Sequence, residues 1–282
     1  MQSTPASSEQ EIHDLFRGSA ELSKHVRFLA LVVECIAAGI ALHAILADGS
    51  AILFRPLAVV LFAAIALALR GYAGNVDRFS EECRRTSVRA FATGSRIPAN
   101  LCAFLRSDAP SRVGVLVKRL PAATLDEYYE PKAPPGESRL RELYAHSSFY
   151  TWRLLRAASR VYAASAAVIF MATFVIVYWL AGTDSPTVPR GRVLDALCSV
   201  VLVVFLLRAI SSTFATCSAA EQARRASDAL ITSPLPSGES LVSLIDRYDF
   251  ARMGVPGPPT MLYRIKRKEL GAEWEQRRLA LR

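Results

Sequence analysis

Four long apolar runs divide a chain that is otherwise polar and basic. A helix of about 20 apolar residues crosses the ~30 Å hydrocarbon core of a bilayer, so runs of this length predict membrane-spanning helices. The first run contains only Glu34 and His43 among charged and histidine residues, and the third contains no formal charge. In chain order the first run lies between Arg27 and Asp48, and the others extend from Ala51 to Leu69, from Val161 to Thr183 and from Val193 to Ile210.

The second and fourth runs are weaker. The second carries Arg55, and the fourth carries Asp195 near one end and Arg208 near the other. Taken alone, either run could be a buried helix of a soluble core. Each nevertheless follows a stronger run after a short polar turn, and a single crossing would strand the next basic segment on the wrong side. The pattern therefore predicts an all-α membrane protein with four transmembrane helices, arranged as two hairpins with cytosolic helical extensions.

The distribution of arginine and lysine predicts the orientation of these helices. Positive residues gather on the cytoplasmic side of a bacterial inner membrane, and here they are concentrated outside the two short turns. Both termini are therefore expected in the cytoplasm, and the first run is expected to be an uncleaved anchor. The predicted segments are a cytosolic N-terminal helix at 1–27, a transmembrane hairpin at 28–69, a cytosolic helical segment at 70–159, a second hairpin at 160–210 and a cytosolic helical tail at 211–282.

The polar segments carry helical patterns of their own. Residues 75–105 predict one or two amphipathic helices that are interrupted near Gly94 and Pro98. A helix from Glu137 to Arg160 is expected to continue into the third run as one rod, because no breaker separates them. Further predictions are a capping box at Thr124 to Glu127 and helices at 211–229, 240–253 and 260–281.

Composition and charge narrow the choice of function. The chain has 34 Lys and Arg against 25 Asp and Glu, a net charge of +9, and 52% of its residues are hydrophobic. The concentration of this hydrophobicity in four runs argues against a secreted disulfide module, a disordered tail and an ordinary soluble enzyme. The positive charge would suit nucleic acid or an anionic membrane surface. Because the apolar runs favour the membrane, we expect no DNA or RNA partner.

Recognised catalytic and metal-binding motifs are missing from the sequence. The five cysteines lack a CxxC spacing, the four histidines are scattered, and no phosphate-binding glycine loop or hydrolase motif occurs. We therefore expect reduced thiols, no catalytic residues and no metal site, and we predict that the protein is not an enzyme.

Three polar residues within the runs are candidates for an ion path. A charge near the bilayer centre costs at least ~2.5 kcal/mol, so it is usually retained for a pathway or a pairing. One interpretation places Glu34 inside a pore, with Arg55 and Asp195 as an outer ring or a latch between hairpins. The alternative is a hydrogen-bonded interhelical carboxyl for Glu34, a snorkelling side chain for Arg55 and a solvated cap for Asp195.

Small residues in the first and third runs bear on assembly. They allow helices to approach closely, either within one chain or between chains. Four helices alone enclose no wide lumen, so a pore would require a homo-oligomer. The small residues are Ala37, Gly39, Ala41, Ala44, Ala163, Ala164 and Ala167.

The C-terminal tail carries a basic helix face. It could lie on anionic lipid, or it could bind the phosphates of a nucleotide while Tyr263 or Trp274 stacks on the base. A third interpretation is a solvated face without a ligand. The candidate ligand-binding residues are Tyr263, Arg264, Lys266, Arg267 and Lys268.

Three short stretches stand out in the segments expected in the cytosol. Tyr128–Gly136 and Pro258–Arg264 combine Pro with Tyr, and Arg139–Phe149 combines Arg with Tyr. With the two hairpins, this arrangement resembles the four-transmembrane effectors of bacterial cyclic-oligonucleotide anti-phage systems, the SMODS-associated, CBASS-type family. The resemblance implies an inner-membrane effector that oligomerises and permeabilises or disrupts the membrane when a nucleotide second messenger, such as a cyclic oligonucleotide, binds. This event kills or arrests the infected cell. The resemblance also implies a partner, the nucleotidyltransferase that makes the messenger.

Two other functions are kept as alternatives. A constitutive bestrophin-like anion channel would share the four spans, the length and the basic cytosolic walls. The aromatic neck expected along its second span is not found, because Phe54 and Phe62 are isolated there. The other alternative is a non-conducting scaffold that recruits a soluble partner through its cytosolic helices.

Overall fold

The computed structural model describes residues 8–46, 54–120, 125, 129–181, 189–232, 240–253, 255, 257 and 260–279. Within these ranges it leaves the side chains of 42–46, 54–56, 169, 172–173, 176–181, 189–202, 205 and 260 undescribed. The predicted capping box at Thr124 to Glu127 lies outside the described residues, apart from Leu125.

The described part of the chain is all helical, which confirms the predicted fold class at that level. Helices make up 89% of its residues and it contains no strand. Its eight helices are α1 (Ser8–Leu46), α2 (Phe54–Thr93), α3 (Ala99–Asp108), α4 (Val113–Val117), α5 (Glu137–Ala181), α6 (Pro189–Ile231), α7 (Leu241–Met253) and α8 (Thr260–Arg278).

The predicted interruption near Gly94 and Pro98 is confirmed. Helix α2 ends at Thr93, and Gly94 follows with φ of 69°. This left-handed conformation ends helices and favours glycine, which lacks a Cβ. Gly136 donates a backbone hydrogen bond to the Ala92 carbonyl at 2.8 Å, and Pro98 caps the start of α3.

The predicted rod is also confirmed, because α5 is one helix of 45 residues. Helix α6 is likewise continuous over 43 residues, so the predicted helix at 211–229 is the second half of a longer one. The two predicted tail helices correspond to α7 and α8.

The chain divides into two compact units. Unit 1 contains residues 1–24, 74–158 and 215–282, and unit 2 contains residues 25–73 and 159–214. Each of the four long helices contributes to both units, and each passes from one unit to the other without a break in its helical backbone.

Unit 1 has a hydrophobic core of aliphatic and aromatic side chains. Its larger cluster buries aliphatic and aromatic side chains from α2, α5, α6, α7 and α8, among them Val88, Leu143, Phe149, Leu230, Ile245 and Trp274. A second cluster joins Ile12 of α1 to Phe79 and Cys83 of α2 and Leu105 of α3. Apolar packing therefore accounts for the assembly of unit 1.

Unit 2 shows the opposite distribution, with small side chains inside and large ones outside. Its buried positions include Ala30, Ala37, Ala41, Val59, Ala66, Ala73 and Ala166. Large apolar side chains are exposed on all four long helices, and we call this surface the apolar belt: Phe28, Leu31, Leu57, Leu61, Val168, Phe170, Leu207 and Phe214. Among the small residues considered above, Ala37 and Ala41 are buried, whereas Ala163, Ala164 and Ala167 are exposed.

One described helix segment, Leu57–Thr93, is long enough and apolar enough to cross a membrane. It includes most of the second predicted span. The other three predicted spans include side chains that the structure does not describe. The total of four membrane spans therefore stays a prediction.

Candidate functional site

Glu34 lies between two arginines from other helices of unit 2. Its Oε1 accepts a hydrogen bond from Nε of Arg70 at 2.7 Å and another from Nη1 of Arg208 at 2.8 Å. Its Oε2 accepts a further hydrogen bond from Nη2 of Arg70. Both carboxylate oxygens therefore accept hydrogen bonds from within the protein, and the Glu34 side chain is only 11% exposed. We call these three residues the arginine clamp.

The arginine clamp joins α1, α2 and α6 through one carboxylate. Charge-assisted hydrogen bonds of this kind are about twice as strong as neutral ones, and the planar guanidinium adds geometric specificity. This geometry fits the interpretation of Glu34 as an interhelical carboxyl. A pore role for Glu34 stays a prediction, and in this conformation the carboxylate is paired.

The other two candidates for an ion path both lie near the N-terminal ends of their helices. Arg55 is in the first turn of α2, which begins at Phe54, and Asp195 is in the second turn of α6, which begins at Pro189. Both side chains lie outside the described ones. The outer ring or latch therefore stays a prediction.

The predicted ligand-binding residues of the tail all lie on α8, but they differ in exposure. Arg264, Arg267 and Lys268 are exposed on α8. Lys266 is partly buried and its Nζ lies 2.9 Å from Oε2 of Glu269. Tyr263 is partly buried and packs against the larger core cluster.

Trp274 is a core residue rather than a stacking platform. It is almost fully buried, and its ring lies 4.9 Å from that of His146 and 6.0 Å from that of Phe149. The interpretation in which its indole stacks on a nucleotide base is therefore wrong for this conformation. Three exposed basic side chains remain as the candidate ligand surface of α8.

Unit 1 contains a buried ionic cluster that was not predicted from the sequence. Arg84 of α2 is 1% exposed and donates from Nε to Glu81 at 2.6 Å and from Nη2 to Asp249 of α7 at 2.7 Å. Its guanidinium carbon lies 5.8 Å from the ring centres of both Tyr144 and Tyr248. A signal was available, because Asp249 follows Ile245 by four residues and shares its apolar helix face.

The remaining members of this ionic cluster balance its charge. Arg89 donates to Asp246 at 2.5 Å and to Asp249 at 3.2 Å, and Nε of Arg252 lies 2.9 Å from Glu81. Three arginines therefore face three carboxylates. Burial alone would lower the pKa of Arg84, but the attraction of Glu81 and Asp249 outweighs it and raises that pKa.

Hydroxyl groups extend the cluster to α5. The Tyr144 hydroxyl donates to Asp249 at 3.1 Å. The Tyr248 hydroxyl lies 3.0 Å from that of Ser147 and 2.8 Å from that of Thr151. Burial raises the pKa of Tyr144, so this group remains a hydrogen-bond donor at neutral pH. The network thereby ties α7 to both α2 and α5.

His146 occupies an aromatic enclosure in the core of unit 1. Its ring lies 4.5 Å from that of Tyr150 and 5.8 Å from that of Tyr129, in addition to its contact with Trp274. Burial, with a smaller contribution from Arg278, lowers its pKa to about 4. His13 shows the same behaviour, since burial and Arg17 lower its pKa to about 4. Both imidazoles are therefore neutral in the folded protein at neutral pH.

We expect His146→Phe to make the free energy of unfolding less dependent on pH. An unfolded histidine has a pKa of 6.5, so between 6.5 and about 4 the unfolded chain binds more protons than the folded one. Stability therefore falls as pH falls, and His146 accounts for about 2 kcal/mol between about pH 7 and about pH 5. Phenylalanine preserves the aromatic contacts without titrating. The measurement is urea unfolding of the full chain in detergent, followed by tryptophan fluorescence.

The control is His25→Phe, because His25 is exposed and lies outside the core. This variant also removes one histidine but leaves the buried His146 in place, so the fall in stability that His146 causes should persist. An unchanged slope in His146→Phe would contradict the buried neutral imidazole.

Among the described residues no group of three or more His, Cys, Asp or Glu side chains could hold a metal ion. The four described cysteines, Cys35, Cys83, Cys102 and Cys217, are free thiols. Comparison with protein-family models, with curated proteins and with solved structures found no match to this chain.

Proposed function

We propose that the protein is a multi-pass protein of the bacterial inner membrane with four spans and with both termini in the cytoplasm. The observation that carries this proposal is the inverted packing of unit 2, with alanine inside and the apolar belt outside. Exposed apolar surface on four helices would aggregate in water, whereas lipid tails solvate it at no cost. Small buried residues are also typical of helix contacts in membranes.

The proposed role is that of a triggered effector, whose resting form is closed and which permeabilises the membrane when a nucleotide second messenger binds to unit 1. Anti-phage defence is the biological setting proposed for this activity. The continuity of four helices supports it, because the same helices contribute to unit 1, which contains α8, and to unit 2, which contains the apolar belt. The small buried side chains of unit 2, which let its helices approach closely, support a closed resting form.

Two surface features support the partners that this role requires. Arg264, Arg267 and Lys268 lie within two turns of α8 and are exposed, as a phosphate-binding surface must be. Ala163, Ala164 and Ala167 are exposed on α5, where small side chains would let a second copy approach closely in a homo-oligomer. The messenger proposed is a cyclic oligonucleotide made by a nucleotidyltransferase of the same system.

The test is release of an encapsulated dye from liposomes that contain the purified protein, with and without a panel of cyclic oligonucleotides. We expect release only in the presence of one of these nucleotides. Arg267→Gln should then weaken the response about tenfold, since it removes one phosphate contact. Arg225→Gln is the matched control, because Arg225 is an exposed arginine of unit 1 outside α8.

The other outcomes point to the alternatives. Leak without any nucleotide would overturn the triggered effector and favour a constitutive channel. Silence with every nucleotide would overturn the pore and favour a scaffold.

A further inference from the structure

We propose that the arginine clamp, together with Arg27, binds the phosphate group of an anionic phospholipid. This inference rests on the proposed membrane location of unit 2. It assigns Arg70 and Arg208 a ligand in addition to their structural partner Glu34.

The first argument is an imbalance of charge. In the clamp Glu34 is the single carboxylate, against the arginines at 70 and 208. Two guanidinium groups share the Glu34 carboxylate, so the clamp itself carries one surplus positive charge. Arg27 is close enough to Arg208 to repel it. An uncompensated charge next to apolar surface is costly, and an anion removes that cost.

The second argument is the supply of hydrogen-bond donors. A guanidinium has five N–H groups, and among the described groups Glu34 accepts from Nε and Nη2 of Arg70 and from Nη1 of Arg208. Each arginine therefore keeps donors that the carboxylate does not use. The two side chains are 26% and 27% exposed, so these donors can reach a group outside the protein. A phosphate oxygen matches such donors well.

The third argument is position along the helices. Arg27, Arg70 and Arg208 lie close to the points where α1, α2 and α6 enter or leave unit 2. Exposed apolar side chains lie beside them, namely Phe28, Leu67, Leu207 and Ile210. A phospholipid presents the complementary pattern, with a phosphate at the end of apolar tails. Basic pockets between membrane helices on the cytoplasmic side bind anionic headgroups in the same way.

The experiment begins with membrane fractionation of cells that express the full chain. Protein that remains in the membrane after alkaline extraction is then purified in a neutral detergent. Recovery in the soluble fraction would overturn the membrane location and, with it, the proposed function. The membrane location is thus tested first, and the proposed lipid site is tested separately on protein that has passed this step.

Thermal unfolding of the purified protein is then titrated with phosphatidylglycerol, phosphatidylcholine or inorganic phosphate. A ligand that binds only the folded state raises the melting temperature in proportion to the logarithm of its concentration. We expect phosphatidylglycerol to stabilise the wild type and phosphatidylcholine to leave it unchanged. Equal effects of the two lipids would overturn the proposal. An equal effect of inorganic phosphate would assign the site to a free anion and would also overturn it.

The decisive variant is Arg208→Gln, because it removes the surplus charge and leaves the Glu34–Arg70 pair in place. We expect the affinity for phosphatidylglycerol to fall about tenfold. Arg160→Gln is the matched control, since Arg160 is an exposed arginine of unit 2 outside the clamp. Equal losses in both variants would indicate general surface attraction and overturn a built site. If Arg208→Gln does not fold, the phospholipids that copurify with the wild type are analysed instead. Enrichment of phosphatidylglycerol relative to the membrane of the expressing cells supports the site, and the absence of enrichment overturns it.

Discussion

Replacing Asp249 with asparagine is expected to lower the free energy of unfolding by about 3–5 kcal/mol. The Asp249 side chain is 0% exposed and accepts hydrogen bonds from Arg84, Arg89 and Tyr144. The amide is nearly the same size but carries no charge, so Arg84 would be buried with one carboxylate in place of two. The measurement is urea unfolding of the full chain in detergent at neutral pH.

Asp246→Asn is the matched control for this variant. It removes the same charge from the same helix, but Asp246 is 54% exposed and solvent screens its pair with Arg89. We expect a loss below about 1 kcal/mol. Similar losses of unfolding free energy in the two variants would contradict the conclusion that the buried ionic cluster holds α7 against α2 and α5.

A double variant tests whether the loss of stability in Asp249→Asn arises because Arg84 stays buried with one carboxylate in place of two. Arg84→Met combined with Asp249→Leu removes the buried Arg84–Asp249 pair and leaves Glu81 paired with Arg252. Replacing a buried pair by apolar residues is often neutral or stabilising, because the desolvation cost of the charges disappears. We therefore expect the double variant to be more stable than Asp249→Asn.

Replacing Glu34 with glutamine is the second large change. It leaves Arg70 and Arg208 facing one neutral amide, which can accept hydrogen bonds through a single oxygen and which places an NH2 group against a guanidinium. Breaking a buried pair in this way costs about 3–5 kcal/mol. The expected result is a clear fall in the melting temperature of the detergent-solubilised protein. Arg160→Gln again supplies the control, since it alters an exposed charge of the same unit.

Removing one arginine as well should restore part of the loss. Glu34→Gln combined with Arg208→Gln returns the clamp to one positive charge, as in the wild type. Residues in contact show coupling energies in such cycles of about 0.5–3 kcal/mol. If the losses of the two single variants simply add, the three side chains do not act as a unit.

The helices themselves could be predicted from local patterns. The apolar runs and the adjoining polar segments share one helical period, so α5 is continuous from Glu137 to Ala181 as expected. The break between α2 and α3 follows from Gly94, whose positive φ ends one helix, and from Pro98, which starts the next. These effects act within a few residues of the chain, which is why the sequence displays them.

The pairing of charges could not be predicted in the same way. Glu34 is 36 residues from Arg70 and 174 from Arg208, and Arg84 is 165 residues from Asp249. Any of the 34 basic residues was a formal partner for these acids. The choice depends on which helix faces meet, and the helical period gives a face without naming its neighbour.

The tail illustrates the same limit at the level of single residues. The sequence predicts Tyr263 and Trp274 equally well as groups that stack on a base. In the structure, however, Trp274 packs against His146 and Phe149 in the core. The amino-acid sequence alone determined the all-helical architecture, the positions of the main helix breaks and the apolar composition of unit 2, because these depend on short-range sterics and on hydrophobicity. The partners of Glu34 and Asp249, and the side of α8 that remains exposed, were set by tertiary packing, because a contact between distant residues depends on how whole helix faces fit together.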